Sequence, residues 1–96
     1  MGASEFGTRA KGKTAREAFK AAQDQAFYDH GHAGYSGTIA EKNGFVIIAV
    51  PDGHDPIEFA CRLVDEDDPH ISGKWGPAGC VKVAEGVFYF FGWASS

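Results

Sequence analysis

The residue types that can do chemistry are concentrated in two glycine-rich stretches of this 96-residue chain. The first runs from His30 to Gly37 and the second from His70 to Gly79, and each combines histidine, glycine and a large aromatic residue. Glycine adopts positive φ without steric cost, so such loops let the backbone approach a ligand closely. We therefore expect a ligand or partner to bind where the two loops meet, through six side chains: His30, His32, Tyr35, Ser36, His70 and Trp75.

The histidines are the first candidates for a metal site. His30 and His32 could chelate an ion together with Asp29 or with the acidic run near His70. A zinc site needs three or four converging ligands, and the chain has neither a Cys-x-x-Cys nor a His-Glu-x-x-His motif. We therefore expect no metal and no cofactor, with the imidazoles bonded to loop carbonyls or facing water.

A nucleophile and its base are the second candidate. Ser36 and one of the histidines could act as nucleophile and base, and Tyr35 could act as an acid. The strained elbow motif is missing around Ser36, and no carboxylate is placed by spacing to orient a base. The first loop also fails to match the phosphate-binding signatures, which need a preceding strand and a following helix. We expect a protein without enzymatic activity.

The two loop aromatics allow two interpretations. Tyr35 and Trp75 could form a clamp for a planar ligand or a proline-rich peptide. They could instead close the open end of a small core, since large aromatic residues are intermediate in burial. The second interpretation is favoured, and exposure of the two side chains separates them.

Two helices with clear start signals precede these loops. In the first, Thr14 and Glu17 form a capping box, and in the second Asp55 and Pro56 precede Glu58. The apolar stripe of the first helix recurs at three- and four-residue spacing and extends to Phe27 and Tyr28 (Ala15, Ala18, Phe19, Ala22, Ala26). The expected inner face of the second helix is shorter (Ile57, Ala60, Cys61, Val64).

Each loop is followed by a predicted hairpin. Asn43-Gly44 joins the strand-like residues 37–42 and 45–50, and Glu85-Gly86 joins 79–84 and 87–93. The run Phe45–Val50 is apolar on both faces, so we expect a central, covered strand. The sequence thus predicts an α+β fold: an α-β-β-α-β-β pseudo-repeat, with a four-stranded antiparallel sheet and two helices packed on one face.

The beginning of the chain suggests a cloning vector. Glu5-Phe6 and Gly7-Thr8 are dipeptides that common cloning sites encode, so we expect residues 1–9 to be a vector-derived tail and residues 10–96 to form a single α+β domain. The start lacks the apolar region of a secretory signal, and no apolar run approaches the roughly 18 residues of a membrane helix. We expect a cytoplasmic protein without membrane contact.

Charge favours a protein partner over nucleic acid. Residues 21–96 carry four lysine and arginine residues against eleven aspartates and glutamates. A body of that sign repels phosphate, which makes nucleic acid an unlikely partner, and it selects a basic protein. The two cysteines, Cys61 and Cys80, are too few for a disulfide framework and are expected to be buried free thiols.

The stretch from Tyr28 to Lys42 and the motif Lys74-Trp75-Gly76-Pro77-Ala78-Gly79-Cys80 resemble small uncharacterised proteins encoded by phages and other mobile elements. The resemblance brings no activity and no catalytic residue. It implies an accessory protein that acts on a host component. Our leading hypothesis is a small non-enzymatic module that binds a protein, with a homodimer as one form. It would bind through its aromatic sheet or through the acidic end of the second helix, residues 65–68. The alternative is a small-ligand or metal-binding protein with its site between the loops.

Overall fold

A computed structural model describes residues 3–30, 38–66, 73 and 76–95 of the chain. It contains four strands, two α-helices and one short 3₁₀ helix. In chain order these are β1 (Ala3–Lys11), α1 (Ala15–His30), the 3₁₀ helix (Ile39–Glu41), β2 (Phe45–Ile47), α2 (Pro56–Asp65), β3 (Ala78–Ala84) and β4 (Val87–Ser95).

The four strands form one sheet in the order β1-β4-β3-β2. β4 pairs antiparallel with both β1 and β3, whereas β2 pairs parallel with β3. The predicted α+β class and the four-stranded sheet are confirmed, with the difference that the sheet is mixed. The parallel pair arises because α2 forms the crossover between β2 and β3, a connection that parallel neighbours require.

The predicted first hairpin is wrong, while the second is confirmed. Thr38 begins a 3₁₀ helix because its hydroxyl accepts a hydrogen bond from the amide of Ala40, so the residues before Asn43-Gly44 do not form a strand. Without that hairpin partner, β2 pairs with β3 and becomes an edge strand of three residues. Its Ile47 is 72% exposed, so the prediction of a central covered strand was also wrong. The pseudo-repeat therefore applies to the two capped helices and does not extend to the hairpins.

Strand β1 lies in the segment that we expected to be a tail outside the domain. Its nine residues pair with β4 from Ala3↔Ser95 to Lys11↔Val87 without interruption. Phe6 and Ala10 pack into the core beneath α1. The segment is therefore part of the sheet, and its vector origin stays a prediction.

The two helices lie on opposite faces of the sheet, not on one face as predicted. Successive residues of a strand point to opposite faces, and β4 divides in this way: Phe90 packs in one cluster and Phe91 in the other. The α1 face buries residues from five elements (Ala10, Ala15, Ala18, Phe19, Ala22, Ala26, Ile39, Ala78, Cys80, Phe90). The α2 face buries fewer (Ala60, Val64, Val81, Phe91).

Both helices begin at the predicted cap residues, Thr14 and Asp55. The amide of Glu17 donates to the hydroxyl of Thr14 at 3.2 Å, and the Glu17 carboxylate accepts from the amide of Lys13 at 2.9 Å. In α2 the carboxylate of Asp55 accepts from the amides of Ile57 and Glu58. These bonds satisfy amides that would otherwise lack partners at a helix start.

Two details of the helix stripes differ from the prediction. The five predicted stripe residues of α1 are buried, but Tyr28 is 87% exposed and does not extend the stripe. In α2, Ala60 and Val64 are buried, whereas Cys61 is exposed. A short helix that crosses a sheet buries a narrow stripe, and Cys61 lies one residue beyond it. None of the helices in the described part of the chain is both long enough and apolar enough to span a bilayer.

Candidate functional site

The flanks of both predicted site loops meet at one end of the sheet, which we call the loop end. Strands β1, β2 and β3 begin there and β4 ends there, because β4 runs antiparallel to β1 and β3. Each helix follows a strand and returns toward that strand's start, so α1 and α2 both end at the loop end. The described flanks of the two glycine-rich segments therefore lie at the same end of the sheet.

Most of the predicted site side chains lie outside the described residues. This applies to His32, Tyr35, Ser36, His70 and Trp75. His30 is the last residue of α1, which places its backbone at the loop end. Whether Tyr35 and Trp75 form a clamp for a ligand or close the open end of the core therefore stays a prediction.

A buried lysine joins the two loop flanks. Lys42 is only 3% exposed, and its ammonium donates to the carbonyls of Gly76 at 2.9 Å and Gly73 at 3.2 Å. The ammonium also lies 5.9 Å from the centre of the Phe6 ring, within the range of a cation–π contact. Burial lowers the pKa of Lys42 from its ordinary value, because desolvation disfavours the charged form.

The backbone around Lys42 is held by α1. The side-chain amide of Gln23 donates to the carbonyls of Ile39 and Lys42. The amide of Lys42 donates to the carbonyl of Ile39 and so closes the 3₁₀ helix. Lys42 was not among the predicted site residues, because residue 42 was expected to lie in a hairpin strand. The signal that could have found it is the Thr38 cap, which predicts a helical turn at that place.

A groove opens between β1 and α1 beside Thr38. Its volume is about 190 Å³, and it is lined by residues of β1, α1 and the 3₁₀ segment (Phe6, Gly7, Thr8, Ala22, Gln25, Ala26, Asp29, Thr38, Ile39). Its polar side contains Asp29, whose carboxylate accepts a hydrogen bond from the side-chain amide of Gln25 at 3.1 Å. The groove can hold one apolar side chain or small ring, with a cationic group toward Asp29.

The described residues contain little that suits metal or nucleophilic chemistry. Within residues 3–30, 38–66, 73 and 76–95, no three His, Cys, Asp or Glu side chains are grouped as metal ligands. Cys80 is buried as predicted, and burial raises the pKa of its thiol to about 11, so it stays protonated at neutral pH. Burial likewise raises the pKa of Tyr89. Neither group is an activated nucleophile, since activation needs a lowered pKa.

Comparison with known proteins adds no relative. No protein-family model matches the sequence, and neither a curated protein nor a solved structure matches it.

Proposed function

We propose that the chain is a small non-enzymatic module that binds a basic partner protein through the outer side of α2. The observation that carries this proposal is the separation of charge between the two helices. Residues 52–66 contain five aspartates and glutamates against one arginine. The start of α1 is cationic instead, with Lys11, Lys13, Arg16 and Lys20 against Glu17.

The carboxylates of α2 are available to a partner. Glu58, Asp65 and Glu66 are exposed, and in the described part of the chain no cation lies within ion-pair distance of them. The ion pairs found there are Lys20–Asp24 and Lys82–Glu85. A surface with a net negative charge favours encounter with a basic protein and suppresses encounter with nucleic acid.

The aromatic strand, our other predicted contact surface, gives less support. Phe90 and Phe91 of β4 are at most 1% exposed. Phe88, Tyr89 and Trp93 are half-buried and pack against the two cores. Because helices cover both faces of β4, little of its aromatic surface is left for a partner.

Affinity capture from cells of the host tests the proposal. A variant that neutralises Glu58, Asp65 and Glu66 as their amides should lose a partner that the wild type retains. Asp24→Asn, an acidic position on α1, is the matched control and should retain it. The partner's binding should weaken as salt is raised. If every captured protein binds the neutralised variant as well as the wild type, the α2 surface is not the contact.

A second candidate function is small-ligand binding at the loop end. The groove beside Thr38 supports it, since Asp29 places a carboxylate next to the apolar residues Ala22 and Ala26 in its lining. Screening with small amphipathic cations, followed by amide chemical shifts, tests this candidate. Asp29→Asn, Tyr35→Ala and Trp75→Ala should each weaken a ligand that bridges groove and loops. Shifts confined to α2 would contradict it.

The cellular setting remains part of the proposal. The phage or mobile-element context was expected from two short motifs, and the cytoplasmic location from the missing signal region. Both indicate where to search for the partner: among basic cytoplasmic proteins of the host, including nucleic-acid-binding enzymes.

A further inference from the structure

Strand β1 forms a long open edge of the sheet. It pairs with β4 on one side, and no other strand of the described chain pairs with its second side. Its nine residues contain no proline and no bulge, whereas the opposite edge strand β2 has only three residues. A long regular edge presents a row of unpaired amides and carbonyls that can pair with another strand.

The register identifies which backbone groups face outward. The amide of Gly12 donates to the carbonyl of Gly86 at 3.0 Å, and this pair continues the β1–β4 register. In an antiparallel ladder, opposite residues alternate between hydrogen-bonded and non-hydrogen-bonded pairs. The even-numbered residues of β1 therefore bond to β4. The amides and carbonyls of Glu5, Gly7 and Arg9 point away from the sheet.

The exposed side chains of this edge match their own copy. Glu5 and Arg9 are exposed and lie two residues on either side of Gly7. If a second β1 pairs antiparallel about Gly7, each Glu5 lies directly opposite Arg9 of the second copy, on the same face of the joined sheet. Opposite charges at such positions stabilise a strand pair. In the described residues neither side chain has an ion-pair partner within its own chain.

We propose that two copies of this chain join through their β1 edges, antiparallel and centred on Gly7, into one eight-stranded sheet. This interface is separate from the proposed α2 contact and does not depend on it. Gly7 suits the centre because it brings no side chain to the axis. A Cβ added to it would lie 1.9 Å from the hydroxyl of Tyr89, so the tyrosine occupies that space.

The other face of the junction supports the same register. Phe6 and Thr8 point to the α1 face and line the groove between β1 and α1. In the paired edges, Phe6 lies opposite Thr8 of the second copy, as a non-hydrogen-bonded pair whose side chains are close. The junction therefore extends the floor of the groove and covers apolar surface of Phe6, which is half-buried in one chain.

Charged edge residues also have a protective role in many sheets, where they discourage pairing. The two roles predict different responses to charge reversal. A protective charge acts at any register, whereas the proposed pairs depend on which charge stands opposite which. An experiment that exchanges the two charges therefore separates them.

Charge reversal measured by analytical ultracentrifugation tests the interface. E5R alone places two arginines opposite each other, and R9E alone places two glutamates opposite each other. Each single variant should raise the dimer dissociation constant about tenfold or more, because two like-charge pairs form. The E5R/R9E double variant should restore the wild-type constant. An equal mixture of the two single variants should form a heterodimer, since every pair is again complementary.

Amide exchange provides a second measurement that needs no variant. The amides of Glu5, Gly7 and Arg9 should exchange fast in dilute protein and become protected at concentrations where the dimer forms. The amides of Phe6 and Thr8 bond to β4 and should be protected at both concentrations. A wild type that stays monomeric at millimolar concentration overturns the proposal. So does a dimer whose dissociation constant is equal in the wild type and all three variants, or whose odd-numbered β1 amides stay unprotected.

Discussion

The two faces of the sheet are built in different ways. On the α1 face a sixteen-residue helix lies close to the strands, because alanines form most of its inner stripe. Three aromatic rings meet there: Phe19 lies 5.0 Å from Phe45 and 5.4 Å from Phe90, measured between centroids. On the α2 face a ten-residue helix buries only Ala60 and Val64. Tyr89 and Trp93 remain half-buried beside it.

This difference should appear in the stability of the two faces. The α1 face collects side chains from distant parts of the chain, so its loss should unfold the protein. The α2 face buries fewer side chains, and the carboxylates of Glu58 and Asp65 on α2 are exposed. We therefore expect core variants to destabilise the protein on both faces, with the larger loss on the α1 face.

Removing β1 is the strongest test of the α1 face. A chain that begins at Gly12 lacks the strand partner of β4 and the core side chains of Phe6 and Ala10. We expect this truncated chain to show no cooperative unfolding transition in urea. It should lose the free energy of unfolding of a domain of this size, which is roughly 5–10 kcal/mol. A chain that begins at Ala3 after the initiator methionine is the control. A truncated chain with an unchanged midpoint would show that the segment is a dispensable tail.

Neighbouring phenylalanines of β4 compare the two faces directly. Phe90 points to the α1 face and Phe91 to the α2 face, and both are buried. Phe90→Ala and Phe91→Ala should each cost about 3–5 kcal/mol. Phe90→Ala should cost more, because Phe19 and Phe45 surround the cavity and hold it open. Urea denaturation measures both values, and a larger loss for Phe91→Ala would contradict the comparison.

The two cysteines extend the comparison of the two faces to the pH dependence of the free energy of unfolding. Cys80 is buried on the α1 face, and burial raises the pKa of its thiol to about 11 from the 9.0 of an unperturbed thiol, which we take for the unfolded chain. Above pH 9 the unfolded chain loses this proton and the folded chain keeps it, so the free energy of unfolding falls as pH rises to about 11. The fall attributable to Cys80 should be about 2–3 kcal/mol.

Cys80→Ala should remove that part of the pH dependence, while Cys61→Ala, at the exposed thiol of α2, should retain it. Thiol labelling provides a separate check. Cys61 is exposed and should react quickly with a thiol reagent in the folded protein, whereas the buried Cys80 should react only after unfolding. Fast labelling of both would contradict the burial of Cys80.

The buried lysine provides the smallest expected effect. Lys42→Met removes the ammonium that donates to the carbonyls of Gly73 and Gly76, although the carbonyl of Gly73 still accepts from the amide of Gly76. The substitution also removes the cost of burying a charge. We expect a net loss of about 1–2 kcal/mol, with faster amide exchange at Gly76. Lys82→Met is the control, since Lys82 is exposed and its ion pair with Glu85 should contribute less than about 1 kcal/mol. Equal losses in the two variants would contradict a bridging role for Lys42.

Local sequence signals predicted the elements well where the signal lies within a few residues. The Thr14–Glu17 box, the Asp55–Pro56 start and the turn at Glu85-Gly86 all occur as predicted. The turn at Asn43-Gly44 failed because a hairpin also needs two strands, and the Thr38 cap turns the preceding residues into a 3₁₀ helix. Strong turn residues are therefore insufficient without strand partners on both sides.

The candidate site was predicted only as a place. The glycine-rich segments indicated a loop end, and the described flanks do meet there. Lys42 and the groove beside Asp29 could not be identified, because both depend on contacts between residues far apart in the chain. Because residues 1–9 were expected to lie outside the domain, strand β1 was not predicted, and neither was the wall of the groove that it forms.

By itself, the sequence determined the positions of both helices, their caps, the last hairpin and the acidic character of the second half. These properties follow from hydrogen bonds and periodicity within one or two turns. Only the tertiary structure decided that the helices lie on opposite faces, that β2 runs parallel to β3, and that β1 is the open edge. The physical reason is that strand order and helix side depend on which apolar surfaces cover each other. Strand order and helix side therefore depend on the whole chain, because more than one element can cover the same apolar face of the sheet.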